Sequence, residues 1–320
     1  MKNVLFIIAD QWRGDCLGSL GHPAVVTPNL DALAARGVTF TRHFGQSAPC
    51  GPARASMLTG LYVMNHRVVA NGVPLDARHA TLPMALRHAG WDPNLVGYTT
   101  TVPDPRTTTP ADIRFREWGE AMEGWRVVAH FDEQEWRNYF TWVRGKGVAL
   151  PGDPISLLAP EGAAGPTAAP ARISAAVSDT AWTAEHAIQF LRTTRARRPW
   201  VLHCGFFRPH PPFAAPAPWH KAAALEQIPP AIGGPVEQEA AQHPLMAHWL
   251  GEQKRASYFQ AAQGCVQPMS AAEVALTRRV YYGLIAEVDD AVGQIQRELE
   301  RTGQADDTLI VFTADHGEQL

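Results

Sequence analysis

Val4-Leu5-Phe6-Ile7-Ile8-Ala9 runs without a polar residue and stops on Asp10-Gln11. A strand with one face in water alternates apolar and polar residues; a strand buried on both faces does not. The run therefore predicts an interior strand of a parallel sheet. Thr308-Leu309-Ile310-Val311-Phe312-Thr313 repeats the pattern far along the chain and stops on Ala314-Asp315-His316-Gly317. Trp91 to Val96 and Trp200 to Gly205 read as two further short strands. Helical patterns lie between them. That alternation implies an α/β fold, a mostly parallel sheet with helices on both faces.

The helices carry their own signals. Thr27 is a candidate N-cap, Pro28 fits the first helical position and Gly37 a stop. Val38 to Phe44 reads as a strand or extended segment, and Pro52 to Leu58 as a short helix start. Thr81-Leu82-Pro83 opens a helix that Gly90 ends. Ser178 to Arg195 is helical, with apolar Ala181, Trp182, Ile188 and Leu191, and Arg192 to Arg198 is a basic helix end that suits the dipole. Ser270-Ala271-Ala272-Glu273 is a capping box. Behind it Val280, Leu284, Val288, Val292, Ile295 and Leu299 recur at three- and four-residue spacing. Residues 101–177 and 214–268, rich in Pro, Ala and Gly, read as loop-rich insertions. The chain stops inside a charged motif just after an apolar strand, so further chain is expected to cover that end of a catalytic domain occupying 1–320.

Composition narrows the classes. With 320 residues and 46% hydrophobic content, the chain can bury a sizeable core. A formal charge of -3 gives no reason to expect nucleic acid or an acidic membrane as partner. No apolar run approaches the roughly 20 residues that span a bilayer. The apolar run at the start is too short for a secretory h-region, and the reading is cytoplasmic. Four widely spaced cysteines suggest neither a disulfide framework nor structural zinc, and Cys16, Cys204 and Cys265 read as packing residues.

Polar residues follow four strands: Asp10-Gln11, Tyr98 to Thr100, Arg208 to His210, and Asp315-His316. In an open parallel sheet ligands bind at the carboxyl ends of the strands, so these residues can meet in space. Asp10, Gln11, Asp315 and His316 form a hard, mostly oxygen donor set suited to Ca²⁺, Mg²⁺ or Mn²⁺, the histidine favouring Mn²⁺. The alternative is that each aspartate caps the segment after it. Cys50-Gly51-Pro52-Ala53-Arg54 sets a cysteine at a helix N-terminus, whose dipole favours an anion, with an arginine one turn on. Cys50 could instead be a small core residue, and Arg54 a solvated one. His203, inside an apolar strand, reads as a satisfied core histidine.

Cys50-Gly51-Pro52-Ala53-Arg54 with Ala55-Ser56-Met57-Leu58-Thr59-Gly60 resembles the modification motif of the sulfatase family, in the alkaline phosphatase superfamily. Asn3 to Asp10, Thr27-Pro28-Asn29-Leu30-Asp31, Glu287-Val288-Asp289-Asp290 and Thr313-Ala314-Asp315-His316-Gly317 match the same family in order. The resemblance implies a sulfatase-like three-layer sandwich, one divalent metal held by Asp10, Gln11, Cys50, Asp315 and His316, and oxidation of Cys50 to formylglycine by a dedicated modifying enzyme. Many sulfatases carry two adjacent aspartates after the first strand, Asp-Asn after the last, and Gly-Lys-x-His where this chain has Gly97-Tyr98-Thr99-Thr100. All three departures resemble the phosphonate monoester hydrolase/phosphodiesterase branch.

That branch implies a small phosphonate, phosphate or sulfate ester as substrate. It implies that Asn71, Tyr98, Thr100 and His210 meet substrate oxygens or the leaving group, with Arg54 on developing negative charge. A homo-oligomer is implied by analogy. Simpler readings remain for each residue. Asn71-Gly72 is a turn dipeptide, Tyr98 a strand-end aromatic, Thr100 a cap and His210 a rigid loop residue between prolines. An arylsulfatase or alkyl sulfatase is the alternative within the family. A catalytically incomplete metal-binding fragment is the alternative outside it.

Overall fold

The protein was analysed as a computed structural model that describes residues 3–109, 111, 121–132, 135–194, 199–266 and 269–320. Its sheet holds β1 (Asn3–Ala9), β2 (Asp92–Gly97), β3 (Arg126–His130), β4 (Trp200–Phe206) and β5 (Thr308–Ala314). They lie in the order β3-β2-β4-β1-β5 and every pairing is parallel. The helices are α1 (Pro28–Ala35), α2 (Cys50–Thr59), α3 (Val63–His66), α4 (Leu82–His88), α5 (Arg137–Gly145), α6 (Asp179–Thr193), α7 (Val236–Ala240), α8 (Pro244–Glu252) and α9 (Ala271–Arg301).

Successive residues of the central strands serve opposite cores, as the two-residue side-chain period requires. Leu5, Ile7, Val96, Leu202 and Cys204 pack with Trp182, Phe190, Leu284, Val288 and Val292 of α6 and α9. Their neighbours Val4, Leu95 and Val201 pack with Ala55 and Leu58 of α2 and Leu82 and Leu86 of α4. Helices therefore cover both faces, giving three layers. Truncating a fully buried residue such as Leu202 to alanine should cost on the order of 2–5 kcal/mol. Gly97 is where β2 leaves the sheet. Its φ is +108°, and a Cβ there would lie 2.6 Å from the Gly205 carbonyl oxygen, so only glycine fits.

The capping box forms as expected: Ser270 Oγ accepts from the Glu273 amide at 3.3 Å, and the Glu273 carboxylate accepts from the Ser270 amide at 2.9 Å. The start of α1 differs. Thr27 makes no side-chain cap; its hydroxyl accepts from the Gly18 amide at 2.8 Å and donates to Asp31. The cap comes from α9, where Asp289 accepts from the Asn29 and Leu30 amides at 3.1 and 2.8 Å. A carboxylate satisfies two helix-end donors and complements the dipole, so it outcompetes the local hydroxyl.

Three other expectations change. Val38 to Phe44 forms no strand; Val38, Phe40 and Phe44 are exposed, and β-prone residues without a partner strand make no ladder. The stretch 101–177 contains β3 and α5 besides irregular chain. Residues 110, 112–120 and 133–134 there, 267–268 of the second insertion, and 195–198 of the basic helix end lie outside the described residues. Finally, His203 is core but only weakly satisfied: neither ring nitrogen makes a well-formed hydrogen bond among the described residues, leaving a weak interaction with the Tyr98 main chain. Its ring packs edge-on against Phe6 at 5.7 Å. Burial, with Arg54 adding to it, pushes its pKa down to about 3, so it stays neutral.

Candidate active site

Every strand is parallel, so all carboxyl ends open on one edge. Asp10 follows β1, Tyr98 to Thr100 follow β2, Arg208 to His210 follow β4, and Asp315-His316 follow β5. Cys50 opens α2 at that edge and is 5% exposed. Its Sγ lies 3.3 Å from Asp10 Oδ1 and 3.3 Å from His316 Nε2. One ligand atom from each of Asp10, Cys50, Asp315 and His316 can be chosen so that all lie within 4.8 Å of one another.

Arg54 holds this group together from below. It sits one turn into α2, 1% exposed. Nε donates to Asp315 Oδ2 at 2.8 Å, Nη2 to Asp10 Oδ2 at 3.1 Å, and Nη1 to the Tyr98 carbonyl at 2.9 Å. Tyr98 closes the set: its ring lies 4.2 Å under the guanidinium and its hydroxyl donates to Asp10 Oδ2 at 2.5 Å. Burial alone would push the Asp10 carboxyl up. Arg54, the two histidines His210 and His316, and the Tyr98 hydroxyl outweigh it and hold the carboxyl below its ordinary range. Burial opposes the charge on Arg54, but Tyr98, Asp315 and Asp10 keep its pKa well above the usual value.

Two aspartates and one guanidinium meet in a buried site. Those carboxylate oxygens, with a thiol and an imidazole alongside, suit a divalent cation. His316 is prepared for the same role. Its Nδ1 lies 2.9 Å from the Gly317 carbonyl, so we assign the proton to Nδ1 and leave the Nε2 lone pair facing Cys50. Asp315 Oδ1 accepts from the Gln11 amide at 3.1 Å and from the His316 amide at 2.9 Å. Gln11 has a φ of 66°, a left-handed conformation rare for a residue with a side chain. Tyr281 of α9 secures it by donating to the Gln11 carbonyl at 2.6 Å and accepting from the Arg13 amide at 2.9 Å. The Gln11 side-chain amide donates to Glu318.

The remaining expected residues fall into two groups. Asn71 is at the site: its Oδ1 accepts from the Gly51 amide at 2.7 Å, beside Cys50. A Cβ on Gly51 would lie 2.9 Å from that oxygen, which explains the glycine after the cysteine. Thr100 is buried with φ 49°, a second non-glycine residue in the left-handed region at this edge besides Gln11. His210 packs at a tilt against Phe207 with centroids 4.5 Å apart, and its Nδ1 is 2.7 Å from the Pro211 carbonyl. Arg54 and Tyr98, by contrast, are committed inward to carboxylates and backbone, not turned toward open space. Sequence reasoning did not single out Tyr281, Glu318 or the buried Arg208–Asp179 pair. Their only sequence signal was position: Glu318 and Arg208 stand two residues from His316 and His210.

The chain is similar to known proteins over its whole length. The sulfatase family profile matches residues 2–320. The multifunctional alkaline phosphatase superfamily protein PehA of Trinickia caryophylli is 47% identical over 328 residues, covering 100% of this chain and 63% of that protein. The crystal structure of the phosphonate monoester hydrolase of Agrobacterium radiobacter superposes with a TM-score of 0.95 at 40% identity, covering 100% of this chain and 63% of that one. A phosphonate monoester hydrolase from Silicibacter pomeroyi gives a TM-score of 0.88 at 37% identity with the same coverage. The chain thus spans 63% of the length of each of these relatives. By the reach of the family profile and the ordered motifs, the chain belongs to the sulfatase family.

Proposed function

We propose that the protein hydrolyses phosphonate monoesters and phosphodiesters, with sulfate esters as secondary substrates, using a formylglycine made from Cys50 and one divalent metal. The observation that carries this reading is the position of Cys50. Its Sγ lies 3.3 Å from both Asp10 and His316, at the N-terminus of α2. Asp10, Asp315 and His316, with position 50 and Gln11, would hold the metal. The similarity to two phosphonate monoester hydrolases supports the phosphorus substrate over sulfate. His316 and the nitrogen-containing donor set favour Mn²⁺, with Ca²⁺ and Mg²⁺ as alternatives.

When hydrated, formylglycine supplies one hydroxyl to attack phosphorus and a second to expel the phosphoryl group as the aldehyde re-forms. The metal, when bound, lowers a hydroxyl's pKa and balances charge on non-bridging oxygens. The chain's own residues do the rest. Arg54 and Tyr98 fix the Asp10 and Asp315 carboxylates, and Asn71 fixes the backbone after position 50. His210 can serve as the general acid. As imidazolium, its Nδ1–H stays on the Pro211 carbonyl while Nε2–H passes its proton to the leaving oxygen as the P–O bond breaks. A dedicated modifying enzyme is the implied partner in maturation, and a homo-oligomer the implied assembly. Four free cysteines suit a cytoplasmic setting. Among the described residues no helix is long and apolar enough to cross a membrane.

The test uses the full-length protein and one leaving group, p-nitrophenol, on a phosphonate monoester, a phosphodiester and a sulfate monoester. Larger kcat/KM for the phosphorus esters is expected. Preference for the sulfate would return the reading to an arylsulfatase. Metal binding without any hydrolysis would leave a binding protein.

A further inference from the structure

The loop after β4 is wrapped around a buried cation. Arg208 is 2% exposed, at the exit of a strand that is buried along its whole length. Its Nε pairs with Asp179, the first residue of α6, at 2.9 Å to Oδ2 and 3.2 Å to Oδ1. Asp179 is itself 3% exposed. Nη1 of the same guanidinium donates to two main-chain carbonyls, those of His210 at 3.0 Å and Pro212 at 2.6 Å.

Those two carbonyls bracket Pro211, whose own carbonyl meets the imidazole. The His210 amide donates to the Phe207 carbonyl at 3.1 Å, closing a turn over residues 207–210. The ring then lies between Phe207, at 4.5 Å, and the Pro211 carbonyl, at 2.7 Å from Nδ1. Phe207 is locked in turn against Phe131 and Trp136, at 5.5 and 4.9 Å. The result is a loop whose backbone is bolted to α6 by one side chain. A buried pair adds little net stability, because desolvation offsets attraction. A planar guanidinium with a carboxylate on one edge and two carbonyls on another does fix geometry.

We propose that Arg208, anchored by Asp179, is the positioning residue that aims His210 at the leaving-group oxygen. The inference rests on the reading of His210 as general acid. Arg208 touches no reacting atom; it sets where the imidazole stands. A proton donor displaced by about an ångström can lose on the order of 100-fold in rate. That loss depends on how much the leaving group needs the proton. p-Nitrophenolate leaves readily without one, and phenolate does not.

The experiment compares the full-length, metal-loaded enzyme with Arg208→Met, Arg208→Lys, Asp179→Asn, His210→Ala and the Arg208→Met/His210→Ala double variant. Each is assayed on phenyl and p-nitrophenyl esters of the same phosphonate. For Arg208→Met we expect kcat/KM to fall about 10- to 100-fold on the phenyl ester and no more than about 3-fold on the p-nitrophenyl ester. Arg208→Lys keeps the charge but cannot span the carboxylate and both carbonyls, so it should follow the same pattern. It decides the matter, with Asp179→Asn, if Arg208→Met does not fold. The double variant should be no worse than His210→Ala. Equal losses on both esters in the Arg208 variants, or additive losses in the double variant, overturn the proposal. His210→Ala reads the underlying assignment separately. If that variant shows no leaving-group dependence, His210 is not the acid and the proposal falls with it.

Discussion

Replacing Glu287 by glutamine should stabilise the protein, and by an amount that grows with pH. Glu287 lies on α9, 4% exposed. Burial is the main cause that pushes its pKa up to about 8 from an ordinary 4.5; the nearby Asp179 adds to it, while Ser178 and Arg208 only temper it. The folded state therefore keeps a proton that the unfolded chain releases above pH 4.5. Between these two pKa values the folded form binds more protons, so stability falls as pH rises, at about 1.4 kcal/mol per pH unit. Going from about pH 5 to about pH 7, this one group should remove roughly 2–3 kcal/mol. Glutamine has the same shape and no proton to lose, so Glu287→Gln should erase that slope. The assay is urea denaturation of wild type and variant at several pH values. Any fixed packing or hydrogen-bond offset cancels in the difference between pH values. A stability gap that stays constant from about pH 5 to about pH 8 would refute the reasoning, because it would mean that Glu287 ionises alike in both states.

Other expectations follow from the site and its supports. Cys50→Ala or Cys50→Ser should cut kcat by orders of magnitude, and near-normal turnover in either would sink the formylglycine reading. Mass spectrometry of the Cys50 peptide should show a loss of about 18 Da on conversion of thiol to aldehyde. Arg54→Met leaves two buried carboxylates without their cation and should destabilise by on the order of 3–5 kcal/mol, read by thermal melting; a neutral result would mean that the carboxylates are already compensated. Asp289→Ala removes the cap of α1 and should cost about 1–2 kcal/mol, with kcat unchanged in the folded fraction. Chelation should abolish hydrolysis reversibly, and the metal that restores it best identifies the ion.

The parts of this site that were legible in the sequence are those encoded locally. An apolar run ending in Asp10, and another ending in Asp315, say that two carboxylates stand at strand ends. Parallel pairing then brings them to one edge. The Ser270 box likewise names both of its partners within four residues. Contacts between distant segments were not legible. Nothing near Asn29 announces that Asp289, 260 residues on, will cap its helix. The inward turn of Tyr98 and Arg54 depends on where Asp10 and Asp315 end up, and the Arg208–Asp179 pair on how α6 crosses β4. The edge strand β3 and the helix α5 did carry local signals. Val127 and Val128 are β-branched, and Tyr139, Phe140 and Val143 share a helical face. The surrounding Pro and Gly obscured them, since composition averaged over a long window hides a short element.

The strand order also fixes a sequence of events. β1 is an interior strand, yet one of its two neighbours, β5, enters last of the five strands among the described residues. Gln11 and Asp315, bonded across that pairing, are 304 residues apart. Until β5 seats, Cys50 lacks the wall that Asp315 and His316 provide, and Arg54 has only one of its carboxylates. Afterwards the thiol is almost wholly enclosed. A large catalyst acting on Cys50 would therefore reach it more easily before β5 seats than after. The same closure, made so late, keeps a charged and metal-hungry cluster from existing in a half-made chain.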